Sequence, residues 1–354
     1  MSFVSATPSP YLSVPSFVFE AIVRARNELY ASGWLRQTRL PRPVISIGNL
    51  TLGGTGKTPL AIYLAELLGK LNAAPALLSR GYGRHSRDRI QVFGPEDEVS
   101  DLVRRAGDEP ALVRRRVPAI WLGVSKDRRA AGQRVLEQRP DAVFILDDGF
   151  QHRKLHRDLD IVVVDRAQPL SANRVFPRGT LREPLTGLER AQVVLINGRY
   201  QGSADPLEAS VREINPRAQI LHCVQRVDAL IPYERWSTSR IIGNNNNPGS
   251  AFLVAAVGNP ERFRDDIQTL GVRIVGTRFF RDHQPLSPRA LVQCVKEARS
   301  SRAEAMITTE KDAVKLSESP EFPLLVSVQS TRMHEPEVFQ RIVGTLIESP
   351  NETD

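Results

Sequence analysis

The sequence predicts an α/β protein: a larger unit built on a mostly parallel sheet, followed by a second, smaller α/β domain. Three observations carry the prediction. After Pro43, short apolar runs alternate with amphipathic stretches, the pattern of repeated βαβ units. The first run, Val44 to Ile47, ends in a glycine-rich loop that feeds a helical stretch. A chain of 354 residues, 41% hydrophobic and 25% charged, is long and apolar enough to bury two cores.

Residues 1–40 precede the sheet. Between Phe17 and Trp34, Val18, Ile22, Ala25 and Leu29 recur at helical spacing, with Phe19, Val23 and Tyr30 beside them. Arg24, Arg26 and Arg36 add positive charge. Such a helix either packs on its own domain or lies in a membrane interface, arginines toward anionic headgroups. No stretch reaches the roughly 18 apolar residues of a spanning helix, and the start lacks the pattern of a secretory signal.

The larger unit is expected over residues 41–230. Its strands are Val44–Ile47, Ala76–Leu78, Ala119–Leu122, Val143–Leu146, Ile161–Val164, Val193–Ile196 and, last, Ile220–Val224, with a helix over Pro59–Leu71. Residues 231–250 read as a polar linker because Asn244–Asn247, Pro248 and Gly249 are turn formers. Residues 251–354 form the smaller unit. Its strands are Phe252–Val257, Val272–Gly276, Ala305–Ile307 and Leu324–Val326, and its helices Glu261–Leu270 and Pro288–Arg299.

A net charge of +8 suits a polyanion, an anionic lipid or a phosphorylated substrate. No nucleic-acid-binding motif is present, which argues against nucleic acid. The two cysteines, Cys223 and Cys294, have no metal-ligand spacing, so a disulfide framework is not expected and a reducing compartment is.

The chemistry begins at the end of the first strand. Gly48-Asn49-Leu50-Thr51-Leu52 runs into Gly53-Gly54-Thr55-Gly56-Lys57-Thr58, and a helix follows. Glycines let backbone N–H groups face phosphates, and the helix N-terminus adds partial positive charge. Lys57 is placed to reach the β- and γ-phosphates of a nucleotide and the Thr58 hydroxyl to ligate Mg²⁺. This makes the larger unit P-loop NTPase-like. Thr51 stands where such loops usually carry their first glycine, so an unusual entry to the loop is expected. A second strand, Val143–Leu146, ends in Asp147-Asp148-Gly149, and either aspartate can serve the metal. Leu195-Ile196-Asn197-Gly198 lacks the lysine of a guanine-reading motif.

Several strings, taken in order, resemble the tetraacyldisaccharide 4'-kinase family of lipid A biosynthesis. They are the phosphate loop through Pro59, Ser79-Arg80-Gly81-Tyr82-Gly83-Arg84, Gly107-Asp108-Glu109-Pro110, Leu146–His152 and Leu181-Arg182-Glu183-Pro184-Leu185. Gly258-Asn259-Pro260-Glu261-Arg262-Phe263, Asp282-His283 and Thr308–Ala313 complete the set. The resemblance implies transfer of the γ-phosphoryl group of ATP to the 4'-hydroxyl of an acylated glucosamine disaccharide 1-phosphate. It places the enzyme at the cytoplasmic face of the bacterial inner membrane, touching the anionic surface, and favours the interfacial reading of the first helix. It implies Asp108 as the base for the sugar hydroxyl, assisted by His283, with Lys57 and Arg128 at the transferring phosphate. Thr58, Asp147, Asp148 and Glu183 are its expected metal residues. No obligatory protein partner is evident. A P-loop kinase acting on a soluble molecule, or a nucleotide-dependent switch, is the alternative.

Overall fold

The computed structural model describes residues 10–348 apart from 87, 98, 169, 171–173, 201, 203–204, 239–246, 283, 285 and 317. In chain order the larger half contains α1 (Ser13–Ala31), β1 (Val44–Gly48), α2 (Lys57–Lys70), β2 (Ala74–Ser79), β3 (Ile90–Phe93), α3 (Val99–Ala106) and α4 (Asp108–Arg116). It continues with β4 (Trp121–Ser125), α5 (Arg128–Leu136), β5 (Ala142–Asp147), β6 (Leu159–Asp165), β7 (Val193–Asn197), α6 (Pro206–Ile214) and β8 (Gln219–Pro232). After α7 (Tyr233–Thr238) come β9 (Ser250–Ala255), α8 (Pro260–Gln268), β10 (Arg273–Phe279), α9 (Pro288–Ser300), β11 (Ala305–Thr309), α10 (Glu310–Ala313), β12 (Leu324–Met333) and α11 (Pro336–Glu348).

All the described strands belong to one sheet, ordered β10-β9-β11-β12-β8-β7-β6-β1-β5-β2-β4-β3. Pairing is parallel except at β3–β4 and β8–β12. Strands β1, β5, β6 and β7 are buried along their whole length, as expected of parallel strands covered on both faces. β1 lies between β5 and β6, with its Ile47 opposite Asp147 on one side and Ile161 on the other. Ligands in open α/β sheets bind beyond the carboxyl ends of strands at such a reversal of order.

The smaller unit is joined to the larger edge to edge. β8 is far longer than the Ile220–Val224 read from the sequence. Beyond Val224 its polar and apolar residues alternate, with Val227 and Ala229 buried and Arg226 and Asp228 exposed. Its first part pairs with β7, up to Asn197↔Cys223, and its other edge carries β12 from Met333↔Cys223 to Leu325↔Pro232. The segment expected as a polar linker therefore opens on the last residues of β8 and on α7, where Tyr233 and Trp236 are buried. Asn244–Asn246 lie outside the described residues. One core runs beneath both units, taking Ile45, Leu64 and Ile145 from the larger and Phe252, Met306 and Phe339 from the smaller.

Helix α1 starts and ends a few residues earlier than its apolar spacing suggested. One side is docked: Ser16 Oγ donates to Val175 O at 2.6 Å, Phe19 meets Phe176 edge-on, and Asn27 Nδ2 donates to Glu183 Oε2 at 3.1 Å. The other side exposes Val14, Phe17, Val18 and Ile22, Tyr11 just before the helix is exposed too, and Trp34 just beyond is 82% exposed. Among the described residues no helix is long and apolar enough to cross a membrane.

Candidate active site

The loop after β1 is shaped by its neighbours as well as by its glycines. Asn49 Nδ2 donates to Thr51 O at 2.7 Å, and its Oδ1 accepts from Lys57 Nζ at 3.0 Å. Thr51 forms an antiparallel bridge with Leu181, and Leu52 N donates to Thr180 O at 2.7 Å. This is why a β-branched residue stands where a glycine was expected: the loop enters as a short extended ladder. Further on, Gly56 adopts φ +92° and opens α2. A Cβ there would fall 1.6 Å from Gln225 Nε2, which donates to Gly56 O at 2.8 Å. Asn197 Nδ2, at the end of β7, donates to Thr55 O at 3.0 Å. Side chains from β7 and β8 thus hold two successive carbonyls of the loop.

Lys57 and Thr58 follow at the first turn of α2, facing the end of β5. Lys57 Nζ lies 3.4 Å from Asp148 Oδ1, and Arg182 Nη1 lies 2.6 Å from Asp148 Oδ2. Burial works against charge on Asp148, but Lys57 and Arg182 outweigh it and hold the carboxyl below its usual range. Asp147 is more deeply buried. Desolvation first, then the nearby charges of Glu109 and Asp148, push its carboxyl up to about 7. Two adjacent carboxylates with opposite shifts mark a candidate functional site. Arg128 opens α5 on the same side; burial lowers its pKa, and Asp147 partly offsets that.

These groups line a cavity of about 790 Å³ whose opposite wall comes from the smaller unit. A Cβ on Gly258 would stand 3.7 Å from Gly54 N, so the two units meet closely at the loop. Arg262 reaches across to Asp165 at 3.1 Å. Lys311 lies 3.2 Å from Asp282 and 3.6 Å from Glu109. Burial opposes its charge, yet Glu109, Asp282 and Asp108 together hold its pKa above the usual lysine value. The next residue back, Glu310, pairs with Arg116 at 2.8 Å and accepts from Trp236 Nε1 at 3.3 Å, which fastens α10 to the far end of α4.

The structure brings Gly53, Gly54, Thr55, Gly56, Lys57, Thr58, Arg128, Asp147 and Asp148 onto one cavity. Asp108 does not line it. Its carboxyl is buried at the start of α4, where Oδ1 accepts from the Glu109 N–H at 3.0 Å, and Glu109 is the side chain on the wall. His283 lies outside the described residues; its neighbour Asp282 is on the wall. Glu183 is not brought to the cavity. It is fully buried, and its oxygens accept from Asn27, Gln151 and Arg190. Sequence reading gave no role to Arg182, Glu109, Asn49, Gln225 or Asn197. The first three stand inside the quoted strings, and Asn197, like Asp147, ends an apolar strand. Gln225 carries no local signal.

A glycine-rich loop between a buried parallel strand and a helix, with acids on a neighbouring strand end, defines a P-loop NTPase-type nucleotide-binding protein. The sequence model described as LpxK, tetraacyldisaccharide-1-P 4'-kinase, matches residues 9–348. The chain is 36% identical over 313 residues to the tetraacyldisaccharide 4'-kinase of Desulfotalea psychrophila, covering 87% of this chain and 88% of that protein. It is 38% identical over 301 residues to the enzyme of the same name from Anaeromyxobacter sp., covering 85% and 80%. The crystal structure of LpxK from Aquifex aeolicus in complex with ATP superposes with a TM-score of 0.71 at 28% identity, covering 94% of this chain and 98% of that one. The chain belongs to the tetraacyldisaccharide 4'-kinase family, kinases of lipid A biosynthesis.

Proposed function

We propose that this cavity transfers the γ-phosphoryl group of ATP to the 4'-hydroxyl of a tetraacylated glucosamine disaccharide 1-phosphate. The observation that carries the reading is Lys57, held between Asn49 and Asp148 at the mouth of α2 and facing a second wall that bears Lys311 and Asp282. Incoming phosphates replace Asp148 as the partner of Lys57, while Arg128 and Arg182 stand by to neutralise the charge that spreads over the transferring oxygens.

Mg²⁺ fits the residues present. Thr58, Asp147 and Asp148 offer only oxygen donors, the set a hard cation prefers. Asp148 Oδ1 has no hydrogen-bond donor and only the Lys57 ammonium at 3.4 Å. When bound, the ion neutralises phosphate charge alongside Lys57. Glu183, saturated by other donors, is left out of this set.

A sugar hydroxyl attacks well only when a positioned base accepts its proton. Asp108 is proposed for that task with His283, its carboxylate turning out from the start of α4. Glu109 is the competing candidate, because it already faces the cavity. Asp108→Asn and Glu109→Gln separate them: the variant that loses most transfer while keeping ATP affinity has lost the base.

The exposed apolar side of α1 supports peripheral contact with the cytoplasmic face of the inner membrane, where an acylated acceptor resides. The direct test supplies γ-labelled ATP, Mg²⁺ and the tetraacyldisaccharide 1-phosphate in detergent. A lipid product labelled at the 4'-position is expected. ATP hydrolysis with no labelled lipid would overturn the acceptor assignment and leave a nucleotide switch standing.

A further inference from the structure

Successive residues of a strand point to opposite faces, so Gln225 of β8 reaches the phosphate loop while His222 points away from it, toward α6. The His222 side chain is 5% exposed, and its Nε2 has no hydrogen-bond partner. That nitrogen faces Glu208 Oε2 at 3.5 Å and Asp205 Oδ2 at 3.8 Å. Both distances exceed the roughly 2.7–3.2 Å of an N–H···O bond. On the other side of the ring, Nδ1 faces Glu335 Oε1 at 3.9 Å, and the His222 backbone N–H donates to Glu335 Oε2 at 3.3 Å. Tyr200 packs on the imidazole at 4.5 Å between centroids and limits its rotation.

We propose that Asp205, Glu208 and His222 form a second divalent-cation site, separate from the phosphate cavity and suited to Zn²⁺ or a similar imidazole-binding transition metal. The three ligand atoms lie within 4.8 Å of one another. Nitrogen and oxygen ligands about 2.1 Å from zinc in tetrahedral geometry stand about 3.4 Å apart. The observed 3.5 and 3.8 Å need only a small contraction. Glu335 Oε1, 3.9 Å from Nδ1 on the far side of the ring, would complete the carboxylate–histidine–metal relay that fixes the tautomer of a ligating histidine if the ring moved closer to it on metal binding. Imidazole among the donors selects against Mg²⁺, which favours all-oxygen shells.

Two guanidinium groups oppose the cation. Arg166 is paired with both oxygens of Asp205, whose Oδ1 also accepts from Leu207 N, and Arg212 holds Glu208 Oε1. Glu208 Oε2 is left toward the ring, and the three carboxylates outnumber the two guanidinium groups. A metal here clips the start of α6 to β8 and, through Glu335, to the turn that leads into α11. The role is structural, and it does not depend on the kinase reading.

The test uses untagged full-length protein stripped with chelator, then titrated with Zn²⁺ by calorimetry in excess Mg²⁺, with Co²⁺ absorption reporting nitrogen ligation. One Zn²⁺ per chain is expected. His222→Ala should abolish the Co²⁺ spectrum, and Glu335→Gln should weaken Zn²⁺ binding by about tenfold. Glu208→Gln keeps the side-chain shape at a partly exposed position and should weaken binding with the circular dichroism spectrum unchanged. Asp147→Asn should leave Zn²⁺ uptake intact. Absence of uptake by the parent protein, unchanged affinity in Glu208→Gln, or loss of uptake in Asp147→Asn would each overturn the site.

Discussion

Gly56→Ala is a small perturbation whose cost the structure sets twice over. At φ +92° an alanine is strained whatever space surrounds it, by about 1–2 kcal/mol. The added Cβ would also fall 1.6 Å from Gln225 Nε2, which cannot stay. Displacing Gln225 breaks its 2.8 Å bond to Gly56 O, which keeps only the longer 3.4 Å bond from the Leu60 N–H, a loss of about 0.5–1.5 kcal/mol. The sum is about 1.5–3.5 kcal/mol, and every 1.4 kcal/mol or so that falls on the ligand-ready loop is tenfold in Kd. ATP affinity by calorimetry should therefore drop by about tenfold or more, with a lower unfolding midpoint. Gln225→Ala alone should cost only the hydrogen bond. On the Gln225→Ala background the clash is gone and the hydrogen bond already lost, so adding Gly56→Ala should cost only the backbone strain, and the two changes must be non-additive. Strictly additive free energies, or a Gly56→Ala protein that binds ATP normally, would refute the account of how β8 shapes the loop.

Other outcomes follow from the same geometry. Asp147 has a folded-state pKa raised from 3.8 to about 7, so the folded protein binds this proton more tightly than the unfolded chain. The group is therefore neutral and costless below its unfolded pKa, and its destabilising effect grows as pH rises toward 7. Each tenfold difference in proton affinity between the folded and unfolded chain is worth about 1.4 kcal/mol. Asp147→Asn should accordingly raise chemical stability in chelator by a few kcal/mol at pH 8 and change little near pH 4; equal effects at both pH values would contradict the assignment. Arg116→Met strands the Glu310 carboxylate beside Trp236 and should cost about 3–5 kcal/mol in urea denaturation. Adding Glu310→Leu removes the unpaired charge but leaves the Gln329 N–H and Trp236 Nε1 without that acceptor, so it should restore part of the loss, and no recovery at all would mean that the pair matters for more than charge compensation. Replacing Phe17 and Ile22 on the exposed side of α1 with serine should weaken flotation with anionic vesicles while leaving solution stability nearly unchanged; unaltered flotation would place the membrane contact elsewhere.

How far the sequence could be read depended on whether the deciding physics was local. The phosphate loop was legible because strand, glycines, lysine and helix are contiguous, and Asp147 and Asp148 because acids at the end of an apolar strand have one natural place in a parallel sheet. The β8–β12 junction was hidden. Beyond Val224 polar residues alternate with apolar ones, and only the arrival of β12 some hundred residues later turns that alternation into a strand between two units. Glu183 stands in a string that resembles the family's, yet one of the donors that hold it is Asn27 of α1, 156 residues away, which no spacing rule connects to it. The choice between Asp108 and Glu109 is finer still. Neighbouring residues at a helix start differ by about 100° in direction, so one step decides which carboxylate faces the cavity. That direction is set by Gly107 at φ +99°, where a Cβ would meet Tyr82 O at 2.5 Å, and so by the segment that also delivers Arg80 and Tyr82 to the same wall. The strings around Gly81 and Gly107, which looked like separate motifs, are therefore one packing arrangement, in which Gly107 fixes which of the two carboxylates beside it faces the cavity.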